Sequence, residues 1–210
     1  MSVSMTDFLT QLDWRAFILA MVIIELTPGP NMGWLAALSA QNGRRVGLMA
    51  VAGITVGLGI QVIAAATGLA ALIGQFPLVY ETIRWAGILF MLYLAWEAFR
   101  DTGSTTPASA MSHQGFRHGL IANLLNPKAL VFYVVIIGQF ADPDFGGVWW
   151  QILVLGALHL IIAATVHTAI VLAGARLGKA LEHWRTSLTA RLVFALSLVA
   201  IAIWIAMSTR

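Results

Sequence analysis

The sequence predicts an all-α integral membrane protein in which six transmembrane helices form one domain over residues 1–210. The 210 residues are 60% hydrophobic and only 10% charged, with a mean hydropathy of +0.86, whereas charged residues make up about 25% of a typical soluble domain. Six apolar segments are long enough to cross a bilayer, which takes roughly 20 helical residues. Basic residues concentrate in alternate connections between these segments, as the positive-inside rule describes.

The six segments follow one another with few polar interruptions. In chain order they cover residues 14–40, 46–76, 78–99, 119–140, 148–175 and 188–207. The third is the least apolar, and Arg84 and Glu97 are expected to extend to the two membrane surfaces. A polar linker at about residues 100–115 separates two halves, at about 1–99 and 116–210, and is expected on the cytoplasmic side.

The first segment contains residues that a continuous membrane helix avoids. Pro28 and Pro30 lack amide hydrogens and clash with the preceding turn, so the carbonyls of Ile24 and Leu26 are expected to lose their helical partners. Unpaired backbone, and a carboxylate such as Glu25, are tolerated at membrane depth only inside protein or beside a wet cavity. The segment is therefore predicted to be a broken helix that faces a polar cavity.

The fourth segment carries a corresponding break at Asn126-Pro127-Lys128. A weak repeat with an offset of 99 residues relates Pro28 to Pro127, and it also pairs Gly47 with Gly146, Gly57 with Gly156 and Trp85 with Trp184. Because each half contains three spans, the two halves must insert with opposite orientations. The sequence therefore predicts an inverted 3+3 repeat with broken first and fourth helices, an arrangement that secondary transporters use to build a midplane site.

Charge placement predicts the orientation. Eight of the twelve Lys and Arg residues lie in connections on one side, which should be the cytoplasm: Arg44, Arg45, Arg100, Arg117, Arg176, Lys179, Arg185 and Arg191. Both termini are then expected on the opposite side. The basic residues form no continuous patch, so no nucleic-acid partner is expected.

Three motifs resemble those of the LysE/RhtB family of amino-acid exporters, the LysE-type translocators. They are TPGPN at residues 27–31, GILFMLYLAWEAFR at 87–100 and NLLNPKALVFYVVIIGQF at 123–140. The resemblance covers essentially the whole chain. It implies a multi-pass protein of the bacterial cytoplasmic (inner) membrane that exports amino acids or close derivatives by using the proton gradient, with no cofactor. It does not identify the substrate.

The two breaks predict a substrate-binding and coupling site. Glu25, with the freed carbonyls of Ile24, Leu26 and Asn123, is expected to bind the substrate ammonium. Lys128 and the amides that follow Pro30 are expected to bind its carboxylate. The predicted site comprises Glu25, Thr27, Pro28, Gly29, Pro30, Asn31, Asn123, Asn126, Pro127 and Lys128, of which Thr27, Asn31 and Asn126 suit the capping of broken helix ends.

Glu25 is also the expected proton carrier, because antiport requires a proton and a substrate ammonium to compete for one carboxylate. A structural Glu25–Lys128 ion pair is the alternative. His159 and His167 are candidate proton relays that are equally compatible with bonds to neighbouring carbonyls. Gln61 either lines the cavity or ties two helices together. Gly53 and Gly57 have the spacing of close helix packing, inside the protomer or in a homo-oligomer.

Other function classes have less support. The chain has no cysteine, no HExxH and no GxSxG motif, so no catalytic residues, metal site or enzymatic activity are expected. A cation or metal-ion exporter is the closest alternative, although only Glu25, His159 and His167 would supply ligands within the spans. A membrane-embedded enzyme is a weaker alternative because these motifs are absent. A channel is also weaker, because two oppositely charged breaks suit an occluded zwitterion better than a continuous pore.

Overall fold

Seven α-helices account for most of the residues that the structure describes. The computed structural model describes residues 5–27, 29–69, 76–100, 108–126, 129, 132–180 and 187–208, and within these ranges it contains no β-strand. The helices are α1 Met5–Gln11, α2 Trp14–Leu26, α3 Pro30–Ala66, α4 Pro77–Arg100, α5 Ala108–Leu124, α6 Val148–Ala180 and α7 Leu188–Ser208. A π-helical segment, Tyr133–Ile137, and a 3₁₀ turn, Pro143–Phe145, lie between α5 and α6.

Three of the described helical stretches are long and apolar enough to cross a membrane. They are Asn31–Ala66, Pro77–Arg100 and Val148–Ala180, and a shorter apolar stretch covers Arg191–Trp204. The first of these has 36 residues, which would span about 54 Å if it were straight. That length exceeds the roughly 30 Å hydrocarbon core of a bilayer, so α3 is too long for one straight transmembrane helix.

A glycine folds α3 back on itself. Gly43 has φ 81° and ψ 179°, a backbone conformation that glycine adopts without a steric penalty. Ser39 and Gly47, at equal distances from Gly43, lie against each other, so the two parts of α3 form an antiparallel pair. We call residues 30–42 the first arm and residues 44–66 the second arm. Arg44 is exposed at the bend, where the sequence predicts a connection between two spans.

Small residues bring the second arm close to α5. A side-chain carbon on Gly53 would lie 2.0 Å from the carbonyl oxygen of Phe116, and one on Gly119 would lie 2.2 Å from that of Ala50. Only glycine permits backbones to approach this closely, which is the usual function of small residues between membrane helices. The expected packing function of Gly53 therefore agrees with its position.

The outer pair of helices, α4 and α7, is also antiparallel. The guanidinium of Arg84, near the start of α4, donates to the carbonyl of Ala206 near the end of α7 at 2.7 Å. Towards the other ends, Leu94 and Leu198 line one cavity. This pair packs together far more extensively than α4 packs against α5, which leaves a gap between α4 and α5.

Two local features differ from what the sequence predicts. Helix α5 begins at Ala108, inside the predicted linker, because Gly115 packs directly on the backbone of Val46 and stabilises a polar helical start. Gly47 and Gly146, which the repeat pairs, differ in local conformation, since Gly47 lies within a helix whereas Gly146 follows the 3₁₀ turn with φ 99°. Pro28, Pro127 and Trp184 lie outside the described residues, so their pairings are not described.

Candidate functional site

The predicted break in the first apolar segment lies between α2 and α3. Helix α2 ends at Leu26, and Thr27 caps it in an extended conformation. The Thr27 hydroxyl donates to the Ile23 carbonyl at 2.7 Å, and its amide donates to the carbonyls of Ile23 and Ile24 at 2.9 and 3.2 Å. The expectation of a vacant Ile24 carbonyl is therefore wrong, because Thr27 contacts it. Gly29 is the extended N-cap of α3, and Pro30 is its first residue.

Both sides of this break run alongside α6. In the first arm, Ala36 meets Gly174 and Ala40 meets Gly178, an offset of 138 residues in each pair (174 − 36 and 178 − 40). The same offset on the α2 side places Glu25 opposite Ala163. Glu25 therefore lies between His159 and His167. This is the position expected if α2 and the first arm form one interrupted helix that runs parallel to α6.

The Glu25 carboxylate contacts two imidazoles of α6. Its Oε1 lies 2.9 Å from Nε2 of His159, and its Oε2 lies 3.5 Å from Nε2 of His167. The Glu25 side chain is 12% exposed and the two imidazoles are almost fully buried. A carboxylate in such a site needs polar partners to offset its lost hydration, and the two histidines supply them.

Tyr133 extends this cluster into the π-helical segment. Its hydroxyl lies 2.8 Å from Nδ1 of His159, and both groups are buried. A neutral imidazole donates through one nitrogen and accepts through the other. If Nε2 of His159 donates to the Glu25 carboxylate, then Nδ1 accepts from Tyr133. The contacts therefore form a continuous hydrogen-bonded row, Tyr133–His159–Glu25, with His167 beside the second carboxylate oxygen.

A cavity of about 50 Å³ lies beside the cluster. Its walls come from the broken segment, from the end of α5 and from the middle of α6. The residues that line it include Glu25, Thr27, Gly29, Asn31, Asn123, Asn126, His159 and His167. Four buried side-chain atoms of these residues have no hydrogen-bond partner within the described part of the chain: Oδ1 of Asn31, Oδ1 and Nδ2 of Asn123, and Nδ1 of His167. Because uncompensated polar burial is costly, this cavity suits water or a polar ligand.

Gln61 ties two helices together instead of lining this cavity. It is 5% exposed, and its Nε2 donates to the backbone carbonyl of Asn123 at 3.2 Å. The amide of Asn126 donates to the same carbonyl at 2.9 Å. The expectation that this carbonyl is available for a substrate ammonium is therefore wrong, because two donors already occupy it.

Three predicted site residues, Pro28, Pro127 and Lys128, lie outside the described residues. The proposed pairing of Glu25 with Lys128 is therefore not described, and the described partners of Glu25 include the two histidines. Across the described ranges, no group of three or more His, Cys, Asp or Glu side chains is arranged to hold a metal ion.

Sequence reasoning did not include Tyr133 or Phe132 in the site. The ring of Phe132 lies 4.4 Å from that of His159, centroid to centroid, and it lines the cavity. The only signal in the sequence was spacing. Tyr133 follows Asn126 by seven residues, and residues seven apart lie on the same side of an α-helix. Aromatic residues are common in membrane helices, so this signal is weak.

Comparison with known proteins identifies the family. Residues 22–209 match the model of the family described as LysE type translocator. A membrane protein of Vibrio cholerae is 31% identical over 170 residues, which cover 79% of this chain and 82% of the relative. A membrane protein of Pseudomonas aeruginosa is 29% identical over 174 residues, with 79% and 81% covered.

A third relative has a functional name. The homoserine/homoserine lactone efflux protein of Salmonella typhimurium is 28% identical over 159 residues, which cover 74% of this chain and 77% of the relative. No solved structure matches the chain. These relatives are efflux and membrane proteins, and a translocator is a transporter, not an enzyme. Since the family model covers nearly all of the sequence, the chain belongs to the LysE type translocator family.

Proposed function

We propose that this protein exports amino acids or close derivatives from the cytoplasm in exchange for protons, with Glu25 as the shared binding group. The observation that carries the proposal is the position of Glu25. Its carboxylate lies at the break of a helix, beside a polar cavity, with an imidazole at each oxygen. Intramembrane carboxylates and histidines in such positions are typical of proton pathways.

The relatives' names suggest the chemical class of the substrate. Homoserine and homoserine lactone share a primary ammonium group, whereas only homoserine has a free carboxylate. A carboxylate such as Glu25 binds an ammonium through charge-assisted hydrogen bonds, which are stronger than neutral ones. Homoserine-like compounds are therefore the first substrates to test, and the ammonium is the group that we expect Glu25 to recognise.

The hydrogen-bonded row accommodates a proton in two ways. When Glu25 is ionised, Nε2 of His159 donates to it and Nδ1 accepts from Tyr133. When Glu25 carries a proton, its hydroxyl donates to Nε2, and Nδ1 then donates to the Tyr133 oxygen. The row thus stays paired in both states through a change of tautomer. A substrate ammonium requires the ionised state, so the proton and the substrate compete for Glu25.

The start of the first arm supplies groups for a substrate carboxylate. Gly29, Asn31 and Met32 line the cavity, and backbone amides at a helix N-terminus favour an anion. Asn123 adds an unpartnered amide group from α5. Lys128 remains part of the proposal as a further cation for this group. A zwitterion would then lie between Glu25 and the amides that open the first arm.

The same proposal includes six membrane passes, in an inverted 3+3 arrangement, in the bacterial inner membrane. The antiparallel arms of α3, the antiparallel pair α4–α7 and the parallel course of α6 beside the broken first segment support this topology. The exposed Arg44 and Arg45 at the Gly43 bend favour a cytoplasmic position for that bend. Both termini are then periplasmic.

Reconstituted vesicles test the proposal directly. Vesicles that contain the purified protein and homoserine should take up protons as homoserine leaves, and an uncoupler should abolish the resulting pH difference. Glu25→Gln should reduce homoserine-driven proton uptake to the level of protein-free vesicles. Glu81→Gln, near the start of α4 and away from the cavity, is the matched control and should retain the wild-type rate.

Two results would refute the proposal. Full proton coupling in Glu25→Gln would remove Glu25 from the mechanism. Proton exchange driven by a metal cation, and not by any amino compound, would instead favour the cation-export alternative.

A further inference from the structure

A second and much larger cavity lies between α4 and α5. Its volume is about 460 Å³, and its walls come from the first arm, α4, α5 and α7. We call this cavity the vestibule, and its walls include Trp34, Gln41, Glu97, Arg100, Gln114 and His118. Small-molecule sites usually occupy about 300–1,000 Å³, a range that includes the vestibule. The cavity at Glu25, at about 50 Å³, is below that range in this conformation and must widen before it can hold a whole amino acid.

Glu97 places a carboxylate on the vestibule wall. Its side chain is 32% exposed. One carboxylate oxygen accepts from Nε2 of Gln114, and the other lies 3.6 Å from Nε2 of His118. These contacts connect α4 to α5 across the gap and orient the carboxylate. The sequence suggested only that Glu97 extends to the membrane surface, so this cluster is a product of the tertiary structure.

Arg100 adds the opposite charge one turn further along α4. Its guanidinium carbon lies 5.6 Å from the ring centre of Trp96, a separation at which a cation–π contact orients the side chain. Residues three apart on a helix lie on the same side, so Glu97 and Arg100 present a carboxylate and a guanidinium to the same cavity. That pair matches the ammonium and carboxylate of an amino acid.

Trp34 connects the vestibule to the cavity at Glu25. It is 1% exposed and lines the vestibule, whereas Asn31, one turn earlier on the first arm, lines the cavity at Glu25. The two cavities therefore follow one another along one side of the first arm, about 5 Å apart in helical rise. Trp34 is therefore the vestibule residue that lies nearest along the first arm to the cavity at Glu25.

We propose that the vestibule is a loading site for compounds that carry a primary ammonium, with Glu97 as the ammonium acceptor and Arg100 as the partner of a substrate carboxylate. The proposal rests on the proposed export function, in which the vestibule faces the cytoplasm. Substrate binds first at Glu97 and reaches Glu25 only after Trp34 moves. A lipid headgroup with a primary ammonium offers the same chemistry, and the test below distinguishes it.

The test uses thiol labelling of the full-length purified protein. The chain has no cysteine, so Gln41→Cys introduces a single thiol on the vestibule wall. Homoserine should slow maleimide labelling of this thiol in a saturable manner. Thr82→Cys, on the exposed surface near the other end of α4, is the matched control, and its labelling should not respond to homoserine.

Second-site variants identify the recognising groups. Glu97→Gln should raise the homoserine concentration that gives half-protection by about tenfold or more, the range expected for loss of a charge-assisted hydrogen bond. Arg100→Gln should weaken protection by homoserine about tenfold but change protection by homoserine lactone less than about twofold. Arg100→Gln alters an exposed side chain and so keeps the proposal testable if Glu97→Gln does not fold.

The outcomes separate this inference from the proposed export mechanism. Glu25→Gln should keep full protection in the vestibule even though proton coupling is lost. Absence of protection by homoserine in the wild type, or undiminished protection in Glu97→Gln, would overturn the loading site and leave the Glu25 proposal standing. Protection that depends on added phosphatidylethanolamine, and not on homoserine, would assign the vestibule to lipid and also overturn the inference.

Discussion

Replacement of Gly53 by alanine tests the packing that holds α5 against the second arm of α3. The added carbon would lie 2.0 Å from the carbonyl oxygen of Phe116 and 2.9 Å from the backbone nitrogen of Leu120. Both are backbone atoms of a helix, so a side-chain rotation cannot relieve the overlap. The two helices would have to separate by more than 1 Å, since ordinary contacts begin near 3.4 Å.

The expected cost follows from two opposing effects. An extra methyl group in a well-packed interior costs about 1–3 kcal/mol, and a contact with rigid backbone belongs at the upper end. Alanine is favoured over glycine inside a helix by about 1 kcal/mol, which offsets part of this cost. We therefore expect Gly53→Ala to lower the free energy of unfolding by about 1–2 kcal/mol.

Gly59 provides a matched control in the same helix. A carbon added there meets only a side-chain methyl of Leu160, at 3.7 Å, an ordinary contact distance. Gly59→Ala should therefore raise the free energy of unfolding by up to about 1 kcal/mol. The stability of both variants can be measured in the same detergent by thermal unfolding, with circular dichroism as the signal.

The difference in the free energy of unfolding between Gly53→Ala and Gly59→Ala tests the close contact. If Gly53→Ala proves as stable as Gly59→Ala, the close contact between the second arm and α5 is refuted. The variant also has an expected functional consequence, because Asn123 lies on α5 and contacts Gly57. Separation of the helices should enlarge the cavity at Glu25 and lower the export rate even where the protein remains folded.

Two further predictions concern single side chains. Tyr133→Phe removes the hydroxyl that contacts Nδ1 of His159. It should reduce homoserine-driven proton uptake by about fivefold, because loss of one neutral hydrogen bond costs about 1 kcal/mol. An unchanged rate would exclude Tyr133 from the proton path. Gln151 is fully buried, and its side-chain amide bonds both the amide and the carbonyl of Asp142 at 2.8 Å. Gln151→Leu should lower the free energy of unfolding by about 2–3 kcal/mol in the same thermal assay, whereas Gln139→Leu, an exposed control, should leave it unchanged.

The class of fold and the first break were predictable from local chemistry. Prolines, glycine and a carboxylate inside an apolar segment are incompatible with a continuous lipid-exposed helix. In the structure, α2 ends at Leu26 and the next helix, α3, begins at Pro30. The bend at Gly43 was predictable only as a connection between spans, because its basic neighbours mark a membrane surface. The helical start of α5 was not predicted, because its polar residues show no helical periodicity of apolar positions. Its stability comes from contacts with the second arm.

The candidate site was predictable in part. Glu25, Asn31, Asn123 and Asn126 all line one cavity, which follows from two polar breaks within apolar segments. Two of the three carbonyls expected to be vacant, those of Ile24 and Asn123, were not, because Thr27 and Gln61 supply donors that spacing alone does not reveal. Helical periodicity shows which side of its own helix a residue occupies, but it does not show which other helix that side meets.

The sequence alone determined that the chain crosses a membrane, where its first helix breaks, and which buried charges need partners. These conclusions depend on the free energy of single residues in lipid, which is a local property. The tertiary structure decided that the imidazoles of α6 meet Glu25, and that Glu97 and Arg100 share the vestibule with Trp34. Those pairings depend on how closely glycine-containing helices approach one another, and that distance is a property of two surfaces together, not of either segment alone.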